Sequence, residues 1–555
     1  MKKYAIVKSV GILLLSILLL AGILAGCTQT PPVSENDDSE EPQTSSEPSE
    51  NADEHHLTVM GRDRRYDEVP FADRDQYPTW QAVEKLLADN GVFTEFELIP
   101  TEQYDTVLQT RLAAANDLPD IVNLGNTSDT DAVRLGQQGV IIDVMDAMEK
   151  YSNGNTQVFW GEYWADIAKR FSTEDGALYW YPSLMFKFVD GKPLKGTSIG
   201  FEVRKDWIDK LGLEVPETTD DLYNLTKAFQ EMDANSNGQK DEIIDVYMDR
   251  FDNGLAQMYG LAPGLIQFDK TTNEIVTPWY QPGIRDYIEF VKKCIDGGIM
   301  DPSLLGAANE SPDSRVAENK TGGLFTYIVQ FWLEPMVTAE EAVYYPVLLQ
   351  GNEDIQPALF QESSAIMPEK YVITKNCEDV EGAVRLFDTL YTDEYAELSY
   401  WGVEDISFKW ENDRRVSLTL GMTDKEVAEK KMTVGHTLCG HQVFPYVNIT
   451  EEYGDLMLLN NQSQEKQDFE NSHQEYENIY YSNMPLAMFT EEEREIVEKY
   501  NTTINTYSTE LLTDLILGNR PLDELDSAIE EMKELGLDEL LSVYKSSHER
   551  FNTLK

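Results

Sequence analysis

The stretch DLPDIVNL, residues 117–124, decides the fold because it completes a strand–helix–strand–helix–strand pattern. The first strand of that pattern is predicted at His56–Gly61 and the second at Val92–Pro100. One helix is predicted from Trp80, where apolar residues recur at helical spacing, and another over Tyr104–Ala115. Strands that alternate with crossover helices indicate a parallel sheet covered by helices. The chain is therefore predicted to be an α/β protein.

Two polar residues follow strands of this predicted sheet. Arg62 comes after the first strand and Asn126 comes after the third. In sheets of this kind, ligands bind beyond the carboxyl ends of the strands. We therefore expect Arg62 and Asn126 to contribute to a ligand site.

The amino-terminal segment is typical of a secreted lipoprotein. Lysines precede an uncharged apolar run, Gly11–Ala25, which is shorter than the roughly 20 residues that a membrane-spanning helix needs. The sequence LAGC at residues 24–27 resembles the lipobox of bacterial lipoproteins, in which the cysteine is lipidated after cleavage. Residues 1–26 are thus predicted to be a signal peptide and Cys27 the lipid anchor on the extracellular face of the cell membrane. The alternative is an uncleaved signal anchor.

Composition divides the remainder into a tether and a folded body. Residues 27–56 are predicted to be a disordered acidic tether, because they are rich in Ser, Pro, Asp and Glu and poor in apolar side chains. The body of about 500 residues is too long for one core, so two lobes are expected. The net charge of −55 argues against binding to nucleic acid or to acidic membranes. Three scattered cysteines besides Cys27 do not suggest a disulfide framework, although one pair remains possible.

Several phrases in the body carry a family resemblance. They are LPDIV at 118–122, DGALYWYP at 175–182, RKDWIDKLGL at 204–213, GIMDP at 298–302 and YVITKN at 371–376. In this order they resemble the family 1 extracellular solute-binding proteins, and more narrowly the LplA-like lipoproteins of carbohydrate ABC transporters. One departure is Asp405, which stands where the family often has a glycine.

The resemblance implies two Rossmann-like lobes joined by a hinge, with an interlobe cleft, as in type II periplasmic binding proteins. Lobe 1 is expected to comprise residues 57–183 and 345–412, and lobe 2 residues 195–344 and 413–555. The implied partners are a carbohydrate ligand and the permease subunits of an ABC transporter. A monomer is expected.

The segment Asp233-Ala-Asn-Ser-Asn-Gly-Gln resembles the opening of an EF-hand calcium loop. Side-chain oxygens of Asp233, Asn235 and Asn237 stand at positions one, three and five, and a glycine follows at position six. Gln239 would offer its backbone carbonyl. Position twelve is Ile244 rather than glutamate, but the family resemblance implies that Asp241 and Glu242 complete the shell. A structural Ca²⁺ is therefore predicted, and a plain polar turn is the alternative.

Sugar binding requires aromatic platforms and planar polar groups. The aromatic candidates are Trp180 and Tyr181, which precede the expected crossing between the lobes, and Trp332 and Trp401 in polar, loop-like contexts. Glu404 follows Trp401 closely and is a polar candidate. Most aromatic residues in any protein belong to its core, so each of these competes with a structural role.

The sequence therefore predicts a membrane-anchored binding protein for a sugar or oligosaccharide, without catalysis. One alternative is a secreted glycoside hydrolase, which would need two opposed carboxylates. No Gly-x-Ser-x-Gly, His-Glu-x-x-His or phosphate-binding loop occurs in the chain. A peptide or another small solute is the second alternative ligand.

Overall fold

The structure is a computed structural model of the 555-residue chain. The described part of its compact body starts at Glu54. The residues that the structure describes are 54–63, 71–125, 127–161, 163–184, 188–189, 192–193, 198–246, 254–262, 264–269, 272–305, 313–327, 342–355, 357, 360–361, 366–411, 414–419, 422, 424–434, 443–445, 447 and 484–554. The predicted signal peptide, Cys27 and almost all of the predicted tether therefore lie outside the described residues.

The first sheet has five strands in the order β2-β1-β3-β14-β4. β1 (His55–Asp63) runs parallel to both β2 (Val92–Pro100) and β3 (Ile121–Asn123). β14 (Ile366–Ile373) runs antiparallel to β3 and to β4 (Tyr181–Leu184). The three parallel strands confirm the predicted α/β fold. Because β1 begins at His55, residues 55 and 56 belong to a strand rather than to the tether that was predicted for residues 27–56.

Helices bury both faces of this sheet. Leu57 and Val59 of β1 belong to one apolar core, whereas Met60 belongs to a second core that also contains Val122. This alternation follows from the two-residue period of a strand. The helices in this part of the chain are α1 (Pro78–Asp89), α2 (Thr101–Ala114), α3 (Asp129–Gln137), α4 (Val144–Tyr151), α5 (Asn155–Trp160) and α6 (Tyr163–Phe171).

The second sheet has the order β12-β7-β11-β8. β7 (Ser198–Arg204) runs antiparallel to β11 (Thr321–Tyr327), and β11 runs parallel to β8 (Ile243–Val246). β12 (Tyr344–Val347) and β13 (Phe360–Gln361) both pair with β7. Each sheet thus has its own set of strands.

Helices from two distant parts of the chain pack against the second sheet. Its apolar core joins Phe201 and Phe325 of the sheet to Leu512 and Leu540 of the carboxyl-terminal helices. The helices before the chain returns to the first sheet are α7 (Lys205–Leu211), α8 (Thr219–Met232), α9 (Gly254–Gln257), α10 (Ile284–Asp296) and α11 (Asp313–Ala317). Near the carboxyl terminus are α15 (Glu491–Leu517), α16 (Leu525–Glu534) and α17 (Leu537–Thr553).

The helices that lie between α11 and α15 in the chain pack on the side of the first sheet. They are α12 (Val380–Leu390), α13 (Asp393–Tyr400) and α14 (Asp424–Glu429). Two-stranded ribbons are formed by β5 (Phe188–Val189) with β6 (Lys192–Pro193), β9 (Gln267–Asp269) with β10 (Glu274–Val276), and β15 (Phe408–Glu411) with β16 (Arg414–Ser417).

Strand pairing and packing differ from the expected lobe boundaries at two places in the chain, near residue 345 and after residue 412. β12 and β13 pair with β7, so residues 345–347 and 360–361, which were assigned to lobe 1, go with the second sheet. Val443, Phe444 and Val447 pack in the core of the first sheet, although they were assigned to lobe 2. Both differences have one cause: backbone hydrogen bonds and apolar contacts between distant segments decide where these residues pack. The remaining boundaries stay a prediction.

Local sequence rules hold well around α8. Thr218 and Asp221 form the predicted capping box, in which each side chain accepts a hydrogen bond from the other residue's backbone N–H. Leu222, Leu225 and Phe229 are buried, as their spacing predicts. Met232 was expected on the same face but is 47% exposed, because the helix ends there and Asp233 turns the chain with a φ of 52°.

Two of the cysteines are visible and unpaired. Cys294 and Cys377 are buried and free, so the disulfide that the sequence left possible does not form between them. Burial raises the pKa of both thiols. Cys439 lies outside the described residues. Among the residues that the structure describes, no helix is both long enough and apolar enough to cross a membrane.

Candidate functional site

The carboxyl edge of the first sheet holds Arg62, one of the predicted ligand residues. Its Nη2 donates a hydrogen bond to Asp105 Oδ1 at 2.6 Å, and its guanidinium lies 4.9 Å from the centre of the Tyr104 ring. The Nε of Arg62 is buried and has no hydrogen-bond partner among the described residues. Because a buried donor without a partner is unfavourable, this nitrogen is available to a ligand that enters here.

A tight turn after β3 approaches the same guanidinium. Asn123 Oδ1 accepts a hydrogen bond from Gly125 N at 2.8 Å, and Tyr104 Oη donates to Asn123 O at 2.5 Å. Gly125 has a φ of +58°, which favours glycine, and a Cβ placed there would lie 2.8 Å from Arg62 Nη2. The turn therefore fixes the position of Arg62 as well as the direction of the chain. Asn126, the other residue predicted at this edge, lies outside the described residues.

Substituting Gly125 with alanine tests this close approach. The change is expected to destabilise the protein by about 2 kcal/mol or more, because the methyl group meets Arg62 and the left-handed backbone disfavours alanine. Gly139→Ala is the matched control, since Gly139 has a φ of +68° but nothing within 4 Å of its added Cβ. Urea unfolding of both variants measures the difference. Equal losses for the two variants would show that Arg62 does not press on this turn.

Sequence reasoning missed two charged residues at this edge, Glu369 and Lys370 on β14. Lys370 O accepts a hydrogen bond from Leu124 N at 2.8 Å, which places both residues beside the end of β3. Lys370 Nζ lies 2.8 Å from Asp129 Oδ1 and 5.8 Å from the centre of the Trp180 ring. Glu369 and Lys370 stand directly before the phrase YVITKN, but nothing near them in the sequence shows how their side chains will pack.

The Glu369 carboxyl group is in an unfavourable setting. Its Oε2 is buried and has no hydrogen-bond partner in the part of the chain that the structure describes. Burial raises the pKa of Glu369 above its ordinary value, while its own backbone N–H and the Lys370 ammonium oppose that rise. A ligand hydroxyl that donated to this oxygen would relieve the desolvation, so Glu369 joins Arg62 as a candidate ligand residue.

Trp180 and Tyr181 are close to this edge but belong to the core. They are 1% and 0% exposed, which leaves no ring face for a sugar in this structure. The Trp180 ring packs against Phe171 at 5.1 Å between centres, and the Tyr181 ring stacks on Phe387 at 3.7 Å. Their prediction as ligand residues came from their position before the expected crossing, whereas side-chain packing decides their exposure.

The loop after α13 contains the next two candidates. Trp401 is 2% exposed and contacts Phe408 edge to face, with 5.8 Å between ring centres. Glu404 is exposed and was favoured for its closeness to Trp401. Asp405, where the family often has glycine, adopts a φ of +63°, the left-handed conformation that glycine takes readily. Trp332, the remaining aromatic candidate, lies outside the described residues.

Hydrogen bonds between its own polar side chains and its backbone hold the predicted calcium loop together. Both carboxylate oxygens of Asp233 accept from Gly238 N at 3.1 Å. Asn235 Oδ1 accepts from Asn237 N at 3.1 Å, and Asn237 Oδ1 accepts from Gln239 N at 2.7 Å. The bonds of Asn235 and Asn237 are Asx-type turns, and the bonds of Asp233 join the two ends of this part of the loop.

The two acidic residues at the end of this loop face the same turn. Asp241 Oδ1 accepts from the side-chain amides of Asn235 and Asn237 at 3.1 and 2.9 Å, and Lys320 Nζ lies 3.7 Å from Asp241 Oδ2. Burial alone would raise the pKa of Asp241, but these partners lower it below its ordinary value. The Asp241 carboxylate therefore stays ionised and draws the two asparagines together.

Glu242 is the residue that fits a bound cation best. It is 0% exposed, its Oε1 accepts from Asn235 N at 3.2 Å, and its Oε2 has no hydrogen-bond partner among the described residues. Burial raises the pKa of Glu242, and the charges of Asp241 and Asp233 raise it further, against backbone hydrogen bonds that lower it. A buried carboxylate with an idle oxygen beside two other carboxylates is costly without a counter-charge.

The geometry of the loop is nevertheless not that of a closed metal site. Within the described ranges, no group of three or more His, Cys, Asp or Glu side chains is placed to hold a metal ion. Asparagine is not one of the residue types in that group. In this loop Asn235 and Asn237 would supply the side-chain oxygens at positions three and five. The donor set thus fits a cation that prefers oxygen ligands, and the idle oxygen of Glu242 is the observation that supports this fit.

Comparison with known proteins gives three relatives. The chain is 23% identical over 460 residues to the fructooligosaccharide ABC transporter substrate-binding protein FusA of Streptococcus pneumoniae. This alignment covers 80% of the chain and 82% of FusA. It is 25% identical over 325 residues to the polygalacturonan/rhamnogalacturonan-binding protein YtcQ of Bacillus subtilis, covering 56% and 55% of the two chains. It is 28% identical over 168 residues to lipoprotein LipO of the same species, covering 24% and 31%.

Solved structures agree with the fold described above. FusA in complex with kestose aligns with a TM-score of 0.69 and 20% identity over 90% of this chain and 100% of that one. An EF-hand mutant of FusA in complex with fructo-nystose gives the same values. No family model matches the chain. The structural neighbours are solute-binding proteins, which confirms the predicted fold class of a periplasmic binding protein.

Proposed function

We propose that this protein captures a sugar or oligosaccharide and delivers it to an ABC importer, because one relative is a fructooligosaccharide ABC transporter substrate-binding protein and another is a polygalacturonan/rhamnogalacturonan-binding protein. The observation that carries the proposal is the similarity to FusA, which extends over 80% of this chain. The relatives and structural neighbours are binding proteins rather than enzymes. We therefore assign capture and release to this protein, and no chemical step.

The carboxyl edge of the first sheet supports this role. Arg62 offers a buried donor and Glu369 a buried acceptor, and neither atom has a partner among the described residues. Sugar hydroxyls both donate and accept hydrogen bonds, so a sugar hydroxyl can satisfy either group. A ligand held here and by the second lobe would shift the protein towards a closed state, which contacts it from both sides.

A binding screen tests the proposal. The mature chain is titrated with kestose, nystose, oligogalacturonides and, as the alternative class, short peptides, and the melting temperature is recorded. A saccharide present at 100 times its dissociation constant should add about 2.7 kcal/mol to the stability of the folded state. Arg62→Ala should remove that shift and Arg134→Ala should keep it, since Arg134 is exposed and pairs with Asp131 on α3. A shift with peptides alone would contradict the sugar assignment.

The hydrolase alternative has its own measurement. Each saccharide that binds is incubated with the protein for a day, and newly formed reducing ends are counted. Binding without turnover is the expected result. Release of reducing ends in proportion to protein concentration would replace the proposal with an enzyme.

We further propose that the loop from Asp233 to Glu242 holds a structural Ca²⁺. The ligands would be the side chains of Asp233, Asn235, Asn237, Asp241 and Glu242 and the carbonyl of Gln239. Bound Ca²⁺ would supply the positive charge that the three carboxylates share. The support is the buried, unpaired oxygen of Glu242, together with an EF-hand in the FusA relative.

The anchor proposed at Cys27 predicts a change of location. Wild-type protein, expressed in a Gram-positive host, should fractionate with membranes and incorporate labelled palmitate. Cys27→Ser should release most of the protein into the medium, because the lipid that holds it is absent. Cys377→Ser, which changes a buried free thiol, is the control and should stay with the membrane. Retention of the Cys27→Ser protein would indicate an uncleaved signal anchor instead.

A further inference from the structure

A cleft of about 550 Å³ lies far along the chain from the residues discussed so far. Its walls are β10, the 3₁₀ helix Pro278–Tyr280 and the first turns of α17. None of its lining residues belongs to either five-stranded sheet. Its volume falls within the range of about 300–1,000 Å³ that is usual for small-molecule sites.

Tyr280 gives this cleft an aromatic wall. Its side chain is 42% exposed, which is more than is usual for a tyrosine in a folded protein. Tyr280 Oη donates a hydrogen bond to Asp538 Oδ1 at 2.7 Å, and Lys533 Nζ lies 5.3 Å from the ring centre. These two contacts hold the ring in one orientation, so an exposed aromatic surface is fixed before any ligand arrives.

Thr277 adds a polar group that the protein itself does not satisfy. The residue is 1% exposed and lines the cleft, and its Oγ1 has no hydrogen-bond partner in the described parts of the chain. A buried hydroxyl without a hydrogen-bond partner is unfavourable, because it has lost its hydrogen bonds to water. A ligand with a hydroxyl group at this position would recover that cost.

The other polar groups at the cleft indicate the class of ligand. Glu274 and Asp538 offer carboxylate oxygens, Lys545 offers an ammonium group, and Ser542 can donate and accept; all four are exposed. An anion would face two carboxylates on a chain of net charge −55. A neutral molecule with many hydroxyl groups matches this mixture of donors and acceptors, and its apolar face matches the Tyr280 ring.

We infer that this cleft is a second carbohydrate site, which binds a neutral mono- or disaccharide. It is distinct from the ligand site proposed at the carboxyl edge of the first sheet and does not depend on it. The aliphatic side chains of Ile275 and Leu541 complete the walls, so the sugar ring would lie between them and Tyr280.

Saturation-transfer NMR with the full mature chain tests the inference. The probes are glucose, galactose, fructose and sucrose at millimolar concentration. Thr277→Val should lower the affinity for the bound sugar about fivefold, because it removes one hydrogen bond, while leaving the melting temperature unchanged or raised. Thr321→Val is the matched control: Thr321 Oγ1 is also buried and without a partner among the described residues, but it lies on β11 away from the cleft.

A second pair of variants separates this cleft from the site at Arg62. Ser542→Trp fills the cleft from an exposed position and should abolish the signal, whereas Arg62→Ala should leave it intact. The inference is overturned if no probe binds, if Ser542→Trp and Thr277→Val bind as wild type does, or if Arg62→Ala alone removes the signal. In the last case the sugar occupies only the site at the first sheet.

Discussion

Replacing Glu242 with glutamine is expected to weaken calcium binding about 100-fold and to stabilise the metal-free protein. Glutamine keeps the shape of the side chain but removes the charge that would bind the metal. In metal-free protein the same charge is buried at 0% exposure with one unpaired oxygen, so its removal relieves a penalty. Calcium affinity should thus fall while the stability of the metal-free protein rises. A polar turn that binds no metal would show no loss of calcium affinity.

Calorimetric titration and thermal melting measure the two effects. Chelated wild type and Glu242→Gln are compared before and after addition of millimolar Ca²⁺. Glu318→Gln is the matched control, because Glu318 is an exposed carboxylate that pairs with Lys320 at 2.7 Å next to the loop. Asp233→Ala should also lose calcium affinity and should not gain stability, since Asp233 Oδ1 and Oδ2 accept from Gly238 N. Unchanged calcium uptake by both loop variants would refute the site.

The pH dependence of the metal-free protein has a defined sign. The pKa of Glu242 is raised in the folded state above its ordinary value of 4.5. Between these two pKa values the folded protein binds more protons than the unfolded chain, so stability falls as the pH rises through that window. Metal-free wild type should therefore lose stability relative to Glu242→Gln as the pH rises above about 4.5 and should match it more closely below. Saturating Ca²⁺ should remove this loss.

Replacing Asp388 with asparagine is expected to destabilise the first lobe by about 3 kcal/mol. The Asp388 carboxylate is 2% exposed on α12 and accepts hydrogen bonds from the segment that leads into α5. Its donors are Asn153 N at 2.8 Å, Thr156 Oγ1 at 2.5 Å, Ser152 Oγ at 2.9 Å and Thr156 N at 3.2 Å. Asparagine offers one oxygen and turns an amide NH₂ towards the other donors.

Urea unfolding followed by tryptophan fluorescence measures this loss, because Trp160 at the end of α5 is fully buried in the affected region. Asp393→Asn is the matched control, since Asp393 lies exposed in the first turn of α13. The control should change the unfolding free energy by less than about 0.5 kcal/mol. A loss of similar size in both variants would show that Asp388 does not fasten this segment.

The elements that sequence predicted well are those fixed by local patterns. β2 begins and ends where the run Val92–Pro100 predicts, and α8 begins at the capping box of Thr218. The calcium-like loop closes through bonds between residues at most seven positions apart. In each case the deciding interactions lie within a few residues of one another, so the chain's own order contains them.

The candidate site depended on tertiary structure to a greater degree. Arg62 was predicted from its place after a strand, and the structure puts it at the carboxyl edge beside Gly125. Glu369 was missed, because nothing near it in sequence shows that its carboxyl group will be buried without a partner. Trp180 and Tyr181 were favoured as platforms, but Phe171 and Phe387 cover their rings.

The sequence by itself thus determined the α/β class, the order of strands and helices to Leu124, and the residue types of the calcium loop. Tertiary structure alone decided that residues 344–347 and 360–361 pair with β7. It also decided that Val443 and Phe444 pack in the apolar core of the first sheet that contains Leu57 and Val59. The physical reason is distance along the chain. Strand pairing and burial join segments more than 100 residues apart, and their free energy depends on which partner surface is available.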